Sequence, residues 1–328
     1  TSGSHSVAVG KEALLRNTTG HSNTAVGNFA LFQNLTGTNN SAFGKDALLN
    51  NTASNNTALG KDALRENTTG ANNVGIGYLA LKENTTGTTN TALGANALDA
   101  NTTGSAHVAV GHHALSANTS GVQNTAVGIY ALESTTTGSY NTSIGKSALA
   151  GNTTGADNTG VGYHALRLNT TADGNIAVGK SALEANTTGA YNTGIGFNAL
   201  RSNTTGSENV AVGEEALDAN TTGLHNTACG IQSLKANITG NYNASFGDNS
   251  LHINTTGQQN TAIGSSALLR NTTASYNTAV GRSALTENTT GSNNTAVGFQ
   301  AIYDNTTGAS NTAIGVQALA NNTTASNN

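Results

Sequence analysis

A period of 17 residues constrains this chain more than any other feature of its sequence. A marker glycine ends a small-apolar-glycine block in every repeat, and nineteen such glycines run from Gly10 to Gly315. Seventeen of the eighteen intervals are 17 residues long, and one, Gly44 to Gly60, is 16. A repeat this short cannot bury its apolar side chains alone, so successive repeats must stack. We predict an all-β parallel β-solenoid, a single array of nineteen coils over residues 1–328 that forms a rod about 90 Å long.

Two columns of large apolar residues are predicted to form the core. The residue before each marker glycine is always apolar, and four residues after the glycine stands Leu in eighteen coils and Ile302 in the other. The residue three before the marker is mostly Thr, Val or Ile, which favours a strand there. Side chains alternate along a strand, so this column should share the buried face. The predicted core is Val9, Val26, Ile76, Val110, Ile144, Ile195, Cys229, Ile263 and Ile314, with Leu14, Leu31, Leu64, Leu98, Leu149, Leu183, Leu217, Leu268 and Leu319.

A column of small residues lies between those two strand positions. It holds fourteen Ala, three Gly and two Ser. Because alternation would turn this column away from the predicted core, we expect it to allow close lateral approach of another chain. The chain would then be a homo-oligomer, most simply a trimer, packed through Ala25, Ala92, Ala126, Ala211 and Ala262.

The segment that carries the Leu column is predicted to be extended or a tight turn. Its composition favours helix, but stacked helices need about 8–10 Å between axes, whereas a parallel ladder advances about 4.8 Å per coil. An Asn follows three residues after the Leu in every coil but one, where Thr135 replaces it. Such residues suit turns and can bond the coils above and below. The predicted turn and ladder residues are Asn17, Asn67, Asn101, Asn186, Asn220 and Asn288.

Composition excludes several classes of partner. The net charge is −4, from 13 basic and 17 acidic residues, so neither nucleic acid nor anionic lipid is an expected partner. No stretch is long and apolar enough to insert into a membrane, and the chain starts without a signal pattern. We therefore expect a fragment of a longer protein, with no anchor, stalk or cap visible in this segment.

No pattern predicts catalysis, a metal or a cofactor. His112 and His113 are adjacent and would point to opposite faces of an extended segment. An array that repeats itself lacks the unique converging residues of a catalytic site. We expect no enzyme activity, no metal and no cofactor. Asn-Thr-Thr is an N-glycosylation acceptor pattern in most coils, which makes glycosylation a conditional hypothesis.

The block Ser6–Gly10, Ser-Val-Ala-Val-Gly, and its variants at residues 73–77 and 209–213 resemble the head repeat of trimeric autotransporter adhesins. The longer unit at residues 260–268 is similar to repeats of bacterial surface proteins and phage tail-fibre proteins. The resemblance covers essentially the whole chain. It implies a left-handed β-roll wound as a trimer, located outside the cell. This coil is longer than the commonest head repeat, and its Ala-Leu block is additional.

Three functions remain open from the sequence. The first is an extracellular or cell-surface shaft or head that binds extracellular matrix or a host surface through many weak contacts. The second is a passive spacer of a virion tail fibre or a filament that self-assembles, with end-to-end association through open β edges. The third is ice binding through regularly spaced Thr, which the predicted burial of the Thr/Val column disfavours.

Overall fold

The computed structural model describes residues 3–328 and contains only short parallel strands joined by turns, with no helix in that range. The chain divides into two compact units, Thr1–Val161 and Gly162–Asn328. Each unit is a β-solenoid in which consecutive strands pair in parallel. The predicted all-β parallel solenoid with a repeat of about 17 residues is confirmed.

Ten strands of three residues form the ladder of the first unit. They are β1 Val7–Val9, β2 Thr24–Val26, β3 Ser41–Phe43, β4 Thr57–Leu59, β5 Val74–Ile76, β6 Thr91–Leu93, β7 Val108–Val110, β8 Thr125–Val127, β9 Thr142–Ile144 and β10 Thr159–Val161. The shortened coil keeps the register, because Ser41 still pairs with Thr57 and Phe43 with Leu59. The missing residue falls in the turn, so the turn absorbs the deletion.

Nine strands form the ladder of the second unit. They are β11 Ile176–Val178, β12 Thr193–Ile195, β13 Val210–Val212, β14 Thr227–Cys229, β15 Ala244–Phe246, β16 Thr261–Ile263, β17 Thr278–Val280, β18 Thr295–Val297 and β19 Thr312–Ile314. Equivalent residues face each other, as in the pairing of Thr193 with Val210 and Ile195 with Val212. Each column of the sequence is therefore a physical row along the solenoid.

The Leu segment is neither strand nor helix. Ser181 and Leu183 have φ of 57° and 52°, and the residues at the same two positions of the other coils are also left-handed. This alternation sends successive N–H groups to opposite neighbours: Leu183 donates to Ala199 of the next coil at 2.9 Å, and Ser181 donates to Tyr163 of the previous coil at 2.9 Å. A left-handed L-residue costs roughly 1–2 kcal/mol, and the ladder bonds formed in this way offset that cost.

The core of each coil is narrow. Its interior holds the small column at the centre of the strand, the Ala and Leu of the turn segment and two Asn, as in Gly194, Ala199, Leu200, Asn203 and Asn209. The predicted Leu column is inside: all nine of its named members are buried except Leu14, which is half-buried, and Leu319, which is 38% exposed. These two belong to the first and last coils.

The predicted burial of the column before the marker glycine is wrong. Cys229 is exposed, and Val9, Ile144, Ile195, Ile263 and Ile314 are exposed, while Val26, Ile76 and Val110 are half-exposed. The interior has no room for them: a Cβ placed on Gly194 would already lie 3.3 Å from Cγ of Leu183. Leu fills the interior from one side, so only Ala, Gly or Ser fits on the other.

The prediction that the small column packs against another chain is wrong for the same reason. Ala25, Ala92, Ala126, Ala211 and Ala262 are each fully buried inside their own chain. They cannot contact a second copy. The strand does alternate as predicted, but it turns its central residue inward and its first and third residues outward.

Candidate binding face

The first and third residues of the strands form an outward-facing surface in each unit, which we call the strand face. Its first position is Thr in twelve strands and otherwise Ser41, Ala244, Val or Ile, and its third position is always apolar. No strand-face residue carries a charge. In the described residues, the Thr hydroxyls at the first position make no side-chain hydrogen bond to the protein, so they are available to solvent or a partner.

The third position of the strand face is apolar in every strand and is exposed or half-buried along both units. Exposure of its third position reaches 40% at Phe43, 50% at Leu59 and 46% at Leu93 in the first unit. In the second unit Ile195, Phe246 and Ile263 are 40–42% exposed. Contiguous apolar surfaces of this kind are rare on soluble monomers and mark interaction sites.

Side-chain volume on the strand face is balanced in the two strands that end in Phe. The two strands that end in Phe, at Phe43 and Phe246, are the two that begin with a residue smaller than Thr, namely Ser41 and Ala244. In water a large side chain needs no small neighbour on the same exposed face. Balanced volume is expected where a face packs against another surface with the same repeat.

Most charged residues lie in the segment after the marker glycine. Several pair between equivalent positions of successive coils, as in Arg167 with Glu184 (Nε to Oε1, 3.0 Å) and Arg201 with Asp218 (Nε to Oδ1, 3.0 Å). These pairs are partly exposed and contribute little to stability. This side of the coil carries charge, whereas the strand face carries none.

Two ladders of buried Asn run through the interior. In the first, the side-chain amides generally donate to Oδ1 of the Asn one coil earlier and to the carbonyl of a glycine or alanine in the following turn, as Asn220 does to Asn203 at 2.8 Å and to Gly223 at 3.1 Å. In the second, Oδ1 accepts the backbone N–H of the next Asn, as Asn192 does from Asn209 at 3.0 Å. The predicted ladder residues Asn17, Asn67, Asn101, Asn186, Asn220 and Asn288 all lie in the first ladder.

His107 replaces Asn in the second ladder. Its Nδ1 accepts the N–H of Asn124 at 3.2 Å, which places the ring proton on Nε2, and Nε2 donates to the carbonyl of Gly121 at 2.8 Å. The ring therefore reproduces the acceptor and donor of the Asn amide. Burial lowers the pKa of His107 to about 4, because the charged imidazole would lose its hydration.

Thr135 interrupts the first ladder one coil later. Its hydroxyl donates to the carbonyl of Asn152 at 3.1 Å and gives nothing to Asn118 in the coil before it. Oδ1 of Asn118 is consequently buried without a hydrogen-bond partner. The repeat pattern of the sequence located Thr135 as the exception in the Asn column, but only the contacts of Thr135 and Asn118 reveal this orphaned oxygen.

Comparison with models of known protein families found no match, and comparison with the curated proteins found no similar sequence. Within residues 3–328, His, Cys, Asp and Glu side chains form no group of three or more suited to a metal ion. His112 and His113 form an edge-on ring contact at 4.3 Å. That range also contains no helix able to span a membrane.

Proposed function

We propose that this chain is a structural and adhesive segment of an extracellular fibre, and that copies of it associate through the strand face. One observation carries the proposal: a charge-free, apolar row of side chains points outward in every coil and is exposed or half-buried along both units, while the charged residues lie elsewhere. Water contact with such a surface is unfavourable by about 25 cal/mol per Å². Association removes this contact.

The partner that best fits the strand face is a second copy of the chain. Rows on this face repeat once per coil, about 4.8 Å apart, and only a surface with the same spacing can match them over many coils. The balance of Ser41 with Phe43 and of Ala244 with Phe246 supports an arrangement in which a given coil meets its own equivalent, since Phe of one copy can then pack over the small residue of another. Copies then lie parallel and in register, and the family resemblance implies three.

The segments after the marker glycine remain hydrated in this arrangement and vary from coil to coil. They are the surface we assign to contacts with extracellular matrix or a host surface. Single contacts there are weak, and repetition supplies avidity. The proposed location is the cell surface, with a virion fibre as the alternative. If no such binding exists, the segment is a passive spacer.

Cys229 tests the association directly, because it is an exposed thiol at the third position of the strand face. In parallel, in-register copies the thiols of different chains lie at the same coil. We expect a native mass of three chains and a covalent two-chain product with a short bismaleimide cross-linker, absent in Cys229→Ser. A single-chain mass without cross-linking would overturn the association.

A matched pair of variants locates the interface. Ile195→Lys places a charge on the strand face, and Thr205→Lys places one on an exposed turn of the same coil. We expect the first to dissociate the copies and the second to leave the mass unchanged. Dissociation by both, or by neither, would assign the contact to another surface.

Binding to a ligand is tested separately. The purified segment should bind to cells or to immobilised collagen at physiological salt, and the amount bound should fall steeply in truncated segments with fewer coils. Failure of binding while the three-chain mass persists would leave the spacer function. The two halves of the proposal can thus fail independently.

Ice binding is a second candidate, and one observation favours it. The Thr column at the first strand position faces solvent in both units, so the burial argument against this function no longer holds. Regular hydroxyl and methyl groups on a rigid sheet can order water. Thermal hysteresis by a protein with the mass of one chain would support ice binding. Association of three copies would cover the same face and would argue against ice binding.

A further inference from the structure

Both Asn ladders are interrupted in neighbouring coils of the first unit. Between Asn23 and Asn328, His107 is the only residue other than Asn in the second ladder, and Thr135 is the only one in the first. Asn118, in the coil of His107, lies next to both interruptions. The two departures from the ladder pattern and the orphaned Oδ1 of Asn118 are therefore close together.

We propose that the segment from His107 to Thr135 is an acid-sensitive break point of the first unit, at which protonation of His107 opens the solenoid locally. This inference does not depend on the proposed fibre function. It concerns how the array responds to pH, whatever its surface binds.

The contacts of His107 leave no place for a second ring proton. Nδ1 faces the N–H of Asn124, which can only donate, so a proton on Nδ1 would set two donors against each other. Nε2 is already committed to Gly121, and the amide nitrogen of Asn118 approaches it at 3.1 Å as a further donor. Protonation thus removes one ladder bond and adds a repulsive contact.

No charge compensates an imidazolium at this site. The groups that contact the ring are Asn118 and Gly121 of its own coil and Asn124 of the next coil, and all are uncharged. In the previous coil the uncharged Asn90 accepts the backbone N–H of His107. Burial of the ring lowers its pKa from the ordinary 6.5 to about 4. The closed coil therefore holds the neutral ring, and the open coil takes up the proton.

The direction of the pH effect follows from linkage. A folded-state pKa below the unfolded value means that His107 favours the closed state fully above about pH 6.5 and progressively less as the pH falls to about 4. Asn118 adds to the effect, because its unpartnered Oδ1 gains a hydrogen bond from water only when the coil opens. In a solenoid each coil contacts only its neighbours, so such an opening can remain local.

Hydrogen exchange of the full chain at pH 7.5 and 4.5, corrected for intrinsic rates, tests this inference. We expect amides between His107 and Thr135 to open about 20- to 100-fold more often at the lower pH. His107→Asn restores the residue found in the other coils and should fold, and it should reduce this acid response below about threefold. An unchanged response in His107→Asn, or acid opening centred on other coils, would overturn the inference.

A second variant separates the pH sensor from the weak hydrogen bonding. Thr135→Asn gives Asn118 a donor and should slow opening by the same factor at both pH values, while the ratio between them persists. Loss of that ratio in Thr135→Asn would mean that His107 is not the sensor.

Discussion

The side-chain amide of Asn203 donates a hydrogen bond to Oδ1 of Asn186, 2.9 Å away in the preceding coil. Its second hydrogen goes to the carbonyl of Gly206 at 2.8 Å, and its own Oδ1 accepts from Asn220. A fully buried polar side chain thus has both amide hydrogens and its carbonyl oxygen hydrogen-bonded. This arrangement makes the interior of a coil specific even though it contains few large apolar groups.

Asn203→Ala should reduce the free energy of unfolding by about 2–3 kcal/mol, because it leaves buried partners in the coils on either side unsatisfied. Thr205→Ala, at an exposed position two residues later, should change it by less than about 0.5 kcal/mol. Urea unfolding followed by circular dichroism measures both. Equal effects would mean that the ladder contributes nothing beyond turn formation.

Ala211→Val should destabilise the chain by about 1–3 kcal/mol, although it adds apolar surface to a strand. Ala211 is fully buried against the Leu column, so two extra methyl groups overpack the interior. In a chain whose copies are kept apart by Ile195→Lys, Val212→Thr at the outward-facing next residue should be tolerated to within about 0.5 kcal/mol. Thermal unfolding of both substitutions in that background decides the orientation of the strand, since the opposite ranking would place Val212 inside.

Gly179→Ala should cost about 2–4 kcal/mol. Gly179 has φ of 134°, and a Cβ there would lie 2.5 Å from the carbonyl oxygen of Gly196 in the next coil. Gly194→Ala is the matched control, because fourteen coils carry Ala at that position. Similar unfolding midpoints for the two variants would contradict the close backbone approach of the marker glycines.

Thr135→Asn should raise the free energy of unfolding by about 1–2 kcal/mol at neutral pH. It supplies a donor to the orphaned Oδ1 of Asn118 and completes the first ladder. Thr136→Asn, at the half-buried next position, should give no such gain. Differential scanning calorimetry of the three proteins compares the effects, and a gain in neither variant would mean that Asn118 is already satisfied by water.

The repeat length, the Leu column and the absence of helix followed from the sequence because each depends on spacing. Leu183 recurs at a fixed distance from its glycine, and 17 residues per coil leave no room for stacked helices. The orientation of the strand did not follow. Hydrophobicity alone places Ile195 inside and Gly194 outside, but the interior between strand and turn is already occupied by Leu183, so volume overrides hydrophobicity.

The strand face was therefore missed, although a signal for it was present. Ser41 and Ala244 were visible as exceptions in the Thr/Val column, and Phe43 and Phe246 stand two residues later. Their coincidence indicates a packed outer surface only once that column is known to face outward. The role of His107 could likewise be seen only in the structure, because its position in the repeat does not tell which ring nitrogen accepts the N–H of Asn124.

The 16-residue coil between Gly44 and Gly60 keeps its strand in register and loses its missing residue from the turn. Recombination between near-identical gene segments can accordingly add or delete whole coils, and even shorten a loop, without creating a new interior. The number of coils can therefore change during evolution independently of the side chains that each turn exposes.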